Sequence, residues 1–362
     1  LWYHRDPRLY VAKAVFTSDD NRIADAESKR FGFRWFSVRK IDGDEMFFMN
    51  DRRIFILSPM NRGFWPKNGM YPTPEMLKKN VDLLKEMGFT MCLMNQAIGR
   101  EELIRACDEE GLVSYEELGG YRCNDEPDEQ AMVWRREKAR RMAIRDRSSP
   151  SLIIYVMKCE TGVPPSDDDK NNMKMIHTLD PARLITYNSD CDPKKRNILN
   201  DKPDPFKLHM RPGETEFRDY GWWNQHHWVP FAGYLDQYWK NPRFYLRGTL
   251  VETNTDSLPQ LNKDEIIYLG EEGDFSSPAR YQKIAEELAR TGSSGWRENE
   301  HIDWFEEYGR FLDRSGLRKA FPTVDDFTRS LGATLFYYHG RLVESCRAAN
   351  IFDGININSW AA

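Results

Sequence analysis

Ser151-Leu152-Ile153-Ile154-Tyr155-Val156-Met157-Lys158-Cys159-Glu160 is an apolar run that stops abruptly at polar residues. Such a run, rich in β-branched and aromatic types, predicts a strand buried on both faces, as in a parallel sheet flanked by helices. Working outward, short apolar runs recur at 54–57, 90–94, 112–115, 184–187, 206–209, 266–269 and 354–358. Helical patterns separate most of them. Eight strands over roughly 300 residues fit an α/β fold of the (β/α)8 TIM-barrel kind better than an open sheet.

The helices between carry readable ends. Thr73-Pro74 opens one and Gly88 closes it, with Leu77, Val81 and Leu84 along one stripe. Ser277-Pro278 opens another, with Tyr281, Ile284, Ala285 and Leu288 on a face and Gly292 beyond its end. Phe327, Leu331, Leu335, Tyr338, Leu342 and Cys346 predict a long helix before the eighth strand. The sixth unit is the exception. Residues 213–264 hold Trp222, Trp223, Trp228 and Trp239 without a clean helical period, which predicts a long functional or structured loop.

Ahead of the barrel, residues 1–48 alternate in strand fashion around aspartate-rich turns. They are expected to be the C-terminal strands of an immunoglobulin-like β-sandwich, with the barrel at 49–362. The opening LWYHRDPRLYVAKAVF reads as the middle of a folded domain, so further N-terminal sequence is expected. The compartment stays open: periplasmic or extracellular if a leader has been removed, cytoplasmic otherwise.

Bulk properties narrow the partners. A net charge of -5, spread along the chain, argues against a nucleic-acid or anionic-membrane partner. No apolar run approaches the ~20 residues of a membrane span. The six cysteines form no CxxC pair, so no zinc motif, metal or cofactor is expected. Eleven Trp and sixteen Tyr supply rings that could stack on sugar faces at a barrel mouth. The expected partner is therefore an oligosaccharide or polysaccharide, and a homo-oligomer is compatible with the composition.

In a parallel barrel the chemistry sits where the strands end. Glu160 follows the fourth strand and the Glu271-Glu272 doublet the seventh, so a carboxylate from each would face one cavity. Glycoside cleavage with retention needs such a pair, about 5–5.5 Å apart. Asn61 and Arg62 follow the first strand, His209 the sixth and Trp360 the eighth. His209 is as readily a loop-tethering partner as a sugar contact, and Trp360 as readily core as subsite.

The same residues carry a resemblance. Arg145-Asp146-Arg147-Ser148-Ser149-Pro150-Ser151-Leu152-Ile153-Ile154-Tyr155 resembles the RDRNHPSIIIW segment of glycoside hydrolase family 2, the β-galactosidases, β-glucuronidases and β-mannosidases. Ile266-Ile267-Tyr268-Leu269-Gly270-Glu271-Glu272-Gly273 resembles that family's IIITEYG. Phe31-Gly32-Phe33-Arg34, Leu83-Leu84-Lys85-Glu86-Met87-Gly88-Phe89, Cys107-Asp108-Glu109-Glu110-Gly111-Leu112-Val113 and Leu179-Asp180-Pro181-Ala182-Arg183 match further family segments in the family's order. The resemblance implies Glu160 as acid/base and Glu271 as nucleophile, with Glu272 the alternative after a one-residue slip. Asn61, Arg62, Cys159, His209, Trp223, Glu272 and Trp360 would then line the substrate site.

Two departures qualify this. Cys159 replaces the family's Asn before the acid/base, removing a hydrogen-bonding partner for the sugar 2-hydroxyl. Ser58-Pro59-Met60-Asn61-Arg62-Gly63 and Asn95-Gln96-Ala97 replace the family's loops after strands one and two. The expected function is an exo-acting retaining β-glycosidase, β-galactosidase-like on family frequency, with β-mannosidase and β-glucuronidase as alternatives. A catalytically impaired carbohydrate-binding barrel is the alternative from another class. A metal-dependent hydrolase ranks last, because only His209 stands at a predicted strand end.

Overall fold

The computed structural model describes residues 1–20, 22–61, 71–120, 128–189, 204–226, 264–273, 277–292, 298–349 and 352–358. Two small antiparallel sheets come first. β1 (Tyr10–Thr17) and β2 (Ile23–Phe31) form a hairpin on which every β1 residue is exposed. β3 (Phe36–Ile41), β4 (Asp44–Met49) and β5 (Arg52–Arg53) form a three-stranded sheet. Both its turns are two residues long with positive φ throughout: Asp42 (53°) and Gly43 (87°), then Asn50 (50°) and Asp51 (64°). Asp, Asn and Gly tolerate that backbone, and the mirror-image turn it makes matches the twist of the strands.

Between β2 and β3 the chain breaks from strand at 32–35, and Arg34 shows why. Its guanidinium donates to the carbonyls of Pro150 (2.9 Å), Ala182 (3.0 Å) and Leu152 (2.5 Å). Those carbonyls lie at the start of two barrel strands. The chain leaves the hairpin to make this clamp and then re-enters β3.

The main sheet has nine strands and curls nearly closed. Eight are mutually parallel: β6 (Ile56–Asn61), β7 (Met91–Met94), β8 (Val113–Glu117), β9 (Leu152–Lys158), β10 (Leu184–Asn188), β12 (Trp222–His226), β13 (Ile266–Glu272) and β14 (Gly354–Ile357). β14 pairs with β6, bringing the last strand beside the first. The ninth, β11 (His209–Met210), runs antiparallel along β10. This is an α/β barrel.

The sixth barrel strand corrects the sequence reading. Residues 206–209 are not that strand. Pro205, which lacks an N–H, starts a 3-10 turn (Pro205–Lys207) capped by the Asp204 side chain, and only His209 and Met210 pair with β10. The sixth parallel strand is Trp222–His226, inside the stretch expected to be a loop.

Helices cover the outside: α1 (Pro74–Glu86), α2 (Glu101–Glu110), α3 (Glu129–Asp146), α4 (Asp167–Leu179), α5 (Tyr281–Thr291), α6 (Glu298–Ser315) and α7 (Val324–Ala349). Thr73 caps α1 by accepting from the Met76 N–H, and Leu77, Val81 and Leu84 are buried as the stripe predicts. α6 has no counterpart in the sequence reading. No helix of the described residues is long and apolar enough to cross a membrane.

Inside the barrel the side chains form a filled column. The Tyr115 and Tyr268 rings stack at 6.4 Å and Tyr268 stacks on Trp222 at 5.7 Å. Below them, Phe47 of β4 packs against Trp222 (6.1 Å) and Phe36 (5.4 Å). The three-stranded sheet therefore plugs the end of the barrel where the strands begin, and Trp2, Phe36, Phe47 and Met49 join the interior cluster. Phe47 is fully buried. Phe47→Ala should lower the unfolding free energy by about 3–5 kcal/mol, the usual cost of deleting a core ring. Urea midpoints of the two proteins measure it. A loss under about 1 kcal/mol would show that the plug does not support the barrel.

Candidate functional site

At the opposite end the strand ends are polar. β9 delivers Cys159 and Glu160 to this rim. Its seven residues are all buried, so the strand is fixed up to Lys158, which pairs with Asp169 of α4 at 3.1 Å. The following loop is clamped to β10. Thr161 N–H donates to Asn188 Oδ1 (3.2 Å), the Asn188 amide donates back to Thr161 O (3.3 Å), and Ser189 N–H donates to Lys158 O (3.0 Å). Glu160 itself has φ of 50°, a left-handed backbone that a Glu adopts only when its surroundings impose it.

β12 and β13 supply the facing groups, and β13 does so through an extra residue. The step from Gln225 to His226 in β12 spans Leu269 to Glu271 in β13, and against β14 the β13 stretch from Leu269 to Glu272 is again one residue too long. An extra residue in one strand re-aims the side chains that follow. The shift sends Glu271 inward. His226 Nδ1 lies 3.1 Å from Glu160 Oε1 and 3.3 Å from Glu271 Oε2. The two carboxylate oxygens are therefore at most about 6.4 Å apart. All three side chains are nearly enclosed, 2% exposed for His226, 10% for Glu160 and 8% for Glu271.

Glycine is required beside them. A Cβ on Gly270 would overlap Asn224 Oδ1 and lie 2.9 Å from the His226 ring. The Asn356 amide holds this turn of chain by donating to Gly270 O (3.1 Å), while Asn356 Oδ1 accepts from the Tyr268 hydroxyl (2.9 Å).

The wall toward β7 and β8 carries a third acid. Glu117 is buried at the end of β8 and accepts from the Gln96 N–H (2.5 Å) and the Tyr115 hydroxyl (3.0 Å). Burial pushes its carboxyl up to about 7. Asn95 Nδ2 and Gln96 Nε2 each sit 3.9 Å from Cys159 Sγ. Burial, then the Glu117 charge, pushes the Cys159 thiol well above its ordinary range, so it is neutral.

The predicted site residues divide accordingly. Glu160, Cys159 and Glu271 meet. Asn61 is buried at the end of β6 on the same rim, its carbonyl accepting from Asn95 N–H at 2.9 Å. Glu272 points away: it is fully buried near Cys346 of α7, whose thiol its charge helps push up. Trp223 packs on the outer side, clustered with Leu342 and Cys346. His209 stands at the other end of the barrel. Its Nδ1 contacts Lys207 O (2.8 Å), Arg211 donates to its Nε2 (3.3 Å), and Arg211 also bonds Gly221 O at the start of β12. Burial lowers its pKa to about 3. It is a neutral tether there. Arg62 and Trp360, with Trp228 and Trp239, lie outside the described residues.

His226 and Glu117 were missed by sequence reasoning. His226 ends an aromatic run, Trp222-Trp223, so the strand-end rule finds it once that run is read as the sixth strand.

Two predictions follow from this geometry. Gly270→Ala should separate β12 from β13 and lower thermal stability together with any activity, whereas Gly273→Ala, outside the contact, serves as a comparison for loop strain. Glu117 binds its proton more tightly folded than unfolded, because its pKa rises from 4.5 to about 7. Its contribution to stability is then fully present below about pH 4.5, is lost as pH rises through about 7, and is flat above. The melting-temperature difference between Glu117→Gln and wild type should shift in favour of the variant across that window. A pH-independent difference would show that Glu117 is not held protonated.

No family model matches the chain. Among curated proteins it is 27% identical over 190 residues to the beta-galactosidase of Thermoanaerobacterium thermosulfurigenes, covering 51% of this chain and 25% of that protein. It is 24% identical over 170 residues to the beta-galactosidase of Lactococcus lactis, covering 45% and 16%. The chain thus spans a quarter or less of the length of these relatives. Among solved structures it resembles a glycosyl hydrolase family 2 member from Bacteroides cellulosilyticus, with a TM-score of 0.51 at 16% identity, over 82% of this chain and 34% of that one. At that identity the likeness is one of fold.

Proposed function

We infer, from the relationship of this chain to glycoside hydrolase family 2, that it is the (β/α)8 catalytic barrel of a retaining β-glycosidase. The observation that carries this reading is the shared contact of Glu160 and Glu271 with His226 Nδ1, at 3.1 and 3.3 Å. It brings one oxygen of each carboxylate within about 6.4 Å of the other, a closeness compatible with the about 5–5.5 Å between carboxyl groups of retaining pairs.

In this mechanism a Glu271 oxygen attacks the anomeric carbon as the glycosidic bond breaks. Glu160 gives its proton to the departing oxygen. The glycosyl ester on Glu271 is then hydrolysed by a water whose proton Glu160 takes back. His226 holds both carboxylates at working distance. The enclosed rim, with side chains 10% exposed or less, keeps their mutual field unscreened. The substrate is an oligosaccharide or polysaccharide cleaved from its end, β-galactosidase-like as the named relatives suggest, with β-mannoside and β-glucuronide specificities as alternatives. Residues 1–48 are read as the last strands of an immunoglobulin-like sandwich and 49–362 as the barrel. Supporting this, β1 and β2 leave Val11, Phe16 and Ile23 exposed on a two-stranded ribbon that has no core of its own.

Cys159 favours one competing reading, a barrel that binds sugar without cleaving it, because a buried neutral thiol is a weak partner for a sugar hydroxyl. The two separate experimentally. Aryl β-glycosides differing at C2 and C4 should include a substrate for the wild type. Glu160→Gln should slow it about 10²–10⁴-fold, and a 2-fluoro glycoside should label Glu271 covalently. Activity surviving both Glu160→Gln and Glu271→Gln would reject the mechanism. Tight sugar binding without labelling would establish the binding barrel instead.

A further inference from the structure

The rim joins three kinds of donor atom. Cys159 Sγ, a Glu160 carboxylate oxygen and a His226 ring nitrogen lie within 4.8 Å of one another, and Glu271 Oε2 is 3.3 Å from His226 Nδ1. We propose that this cluster is a binding site for one thiophilic divalent cation of the zinc class, held by Cys159, Glu160 and His226 with Glu271 as fourth ligand.

The donor set and the geometry both point this way. Sulfur, imidazole nitrogen and carboxylate oxygen are the ligands zinc takes, in tetrahedral arrangement with arms of about 2.0–2.2 Å to N and O and about 2.3 Å to S. Tetrahedral arms of that length put neighbouring N and O ligands about 3.3–3.4 Å apart, and the two His226–carboxylate separations are 3.1 and 3.3 Å. Zinc binding would draw the Cys159 sulfur, already within 4.8 Å of the nitrogen and oxygen donors, in to its arm of about 2.3 Å. The ligands rest on the ends of three well-packed strands, β9, β12 and β13, and nearly enclosed side chains leave little water to compete. A hard cation such as magnesium prefers an all-oxygen octahedral shell, which this set does not offer.

Binding balances as an exchange. The Cys159 thiol loses its proton to solvent as the sulfur–metal bond forms, so each cation bound releases one proton from this residue and affinity rises with pH. The consequence for activity rests on the proposed function. A cation on Glu160 and Glu271 occupies the lone pairs that proton transfer and nucleophilic attack require, so the metal-loaded barrel does not cleave glycosides.

Cobalt(II) titration of the whole chain tests the site without reference to activity. One equivalent should bind, with a thiolate-to-cobalt charge-transfer band in the near ultraviolet and the intense visible bands of four-coordinate cobalt. Cys159→Ser should abolish the charge-transfer band, and His226→Ala should weaken binding by more than about tenfold, with circular dichroism confirming that each variant is folded. Saturation without the charge-transfer band, or a band that persists in Cys159→Ser, overturns the proposal. Zinc should also suppress aryl-glycoside hydrolysis, and a chelator should restore it. Cobalt binding with the full signature alongside zinc-insensitive hydrolysis would support the site and count against Glu160 and Glu271 as the catalytic pair.

Discussion

The rim is organised by how closely β12 and β13 approach at Gly270. Nothing larger than hydrogen fits between that Cα and the Asn224 and His226 side chains. At that point β13 carries one extra residue against both β12 and β14, which turns Glu271 toward Glu160 and His226 instead of toward the helices. A regular β13 would alternate strictly. Tyr268 faces the interior, Leu269 the outer cluster, and an unbroken period would have sent Glu271 outward with Leu269. One irregularity decides which member of an acidic doublet sees the cavity.

Below that level the barrel is graded in polarity. Its base is closed by Phe36, Phe47 and Trp222, its middle by stacked tyrosines, and its top by Glu117, Cys159, Glu160, His226 and Glu271. The tyrosine hydroxyls mark the crossover, Tyr115 donating to Glu117 and Tyr268 to Asn356. Their rings belong to the core and their hydroxyls to the polar layer. Burial on top of this column raises the carboxyl of Glu117.

Much of this was legible in the chain. β9 was visible because an unbroken apolar run admits few readings, and Glu160 then followed from its place after the last strand residue. α1 was visible because Thr73, Pro74 and the Leu77, Val81, Leu84 stripe agree. The sixth strand was not. Phe206 to His209 has the apolar-polar alternation of a strand, but Pro205 and the Lys207–Glu265 ion pair (2.7 Å) commit it to a turn, and Glu265 is 58 residues away. Trp222-Trp223 looked like loop aromatics because their period is too short to reveal that one faces the interior and the other α7. His226 was lost with them. The choice between Glu271 and Glu272 lay beyond any local pattern, since a register shift depends on the neighbouring strand.

The Arg34 clamp bears on the order in which the molecule assembles. Its three acceptors belong to residues 116 to 148 positions further along. During synthesis the guanidinium leaves the ribosome long before those carbonyls exist, and it has no anchor until the starts of β9 and β10 are in place. This earlier-made stretch is thus fastened late, by contacts of high sequence separation that are slow to close. Until then the plug that Phe36 and Phe47 supply is tethered only by its own hairpin turns, and the half-built cylinder exposes an apolar floor to whatever chaperone or neighbouring chain reaches it first.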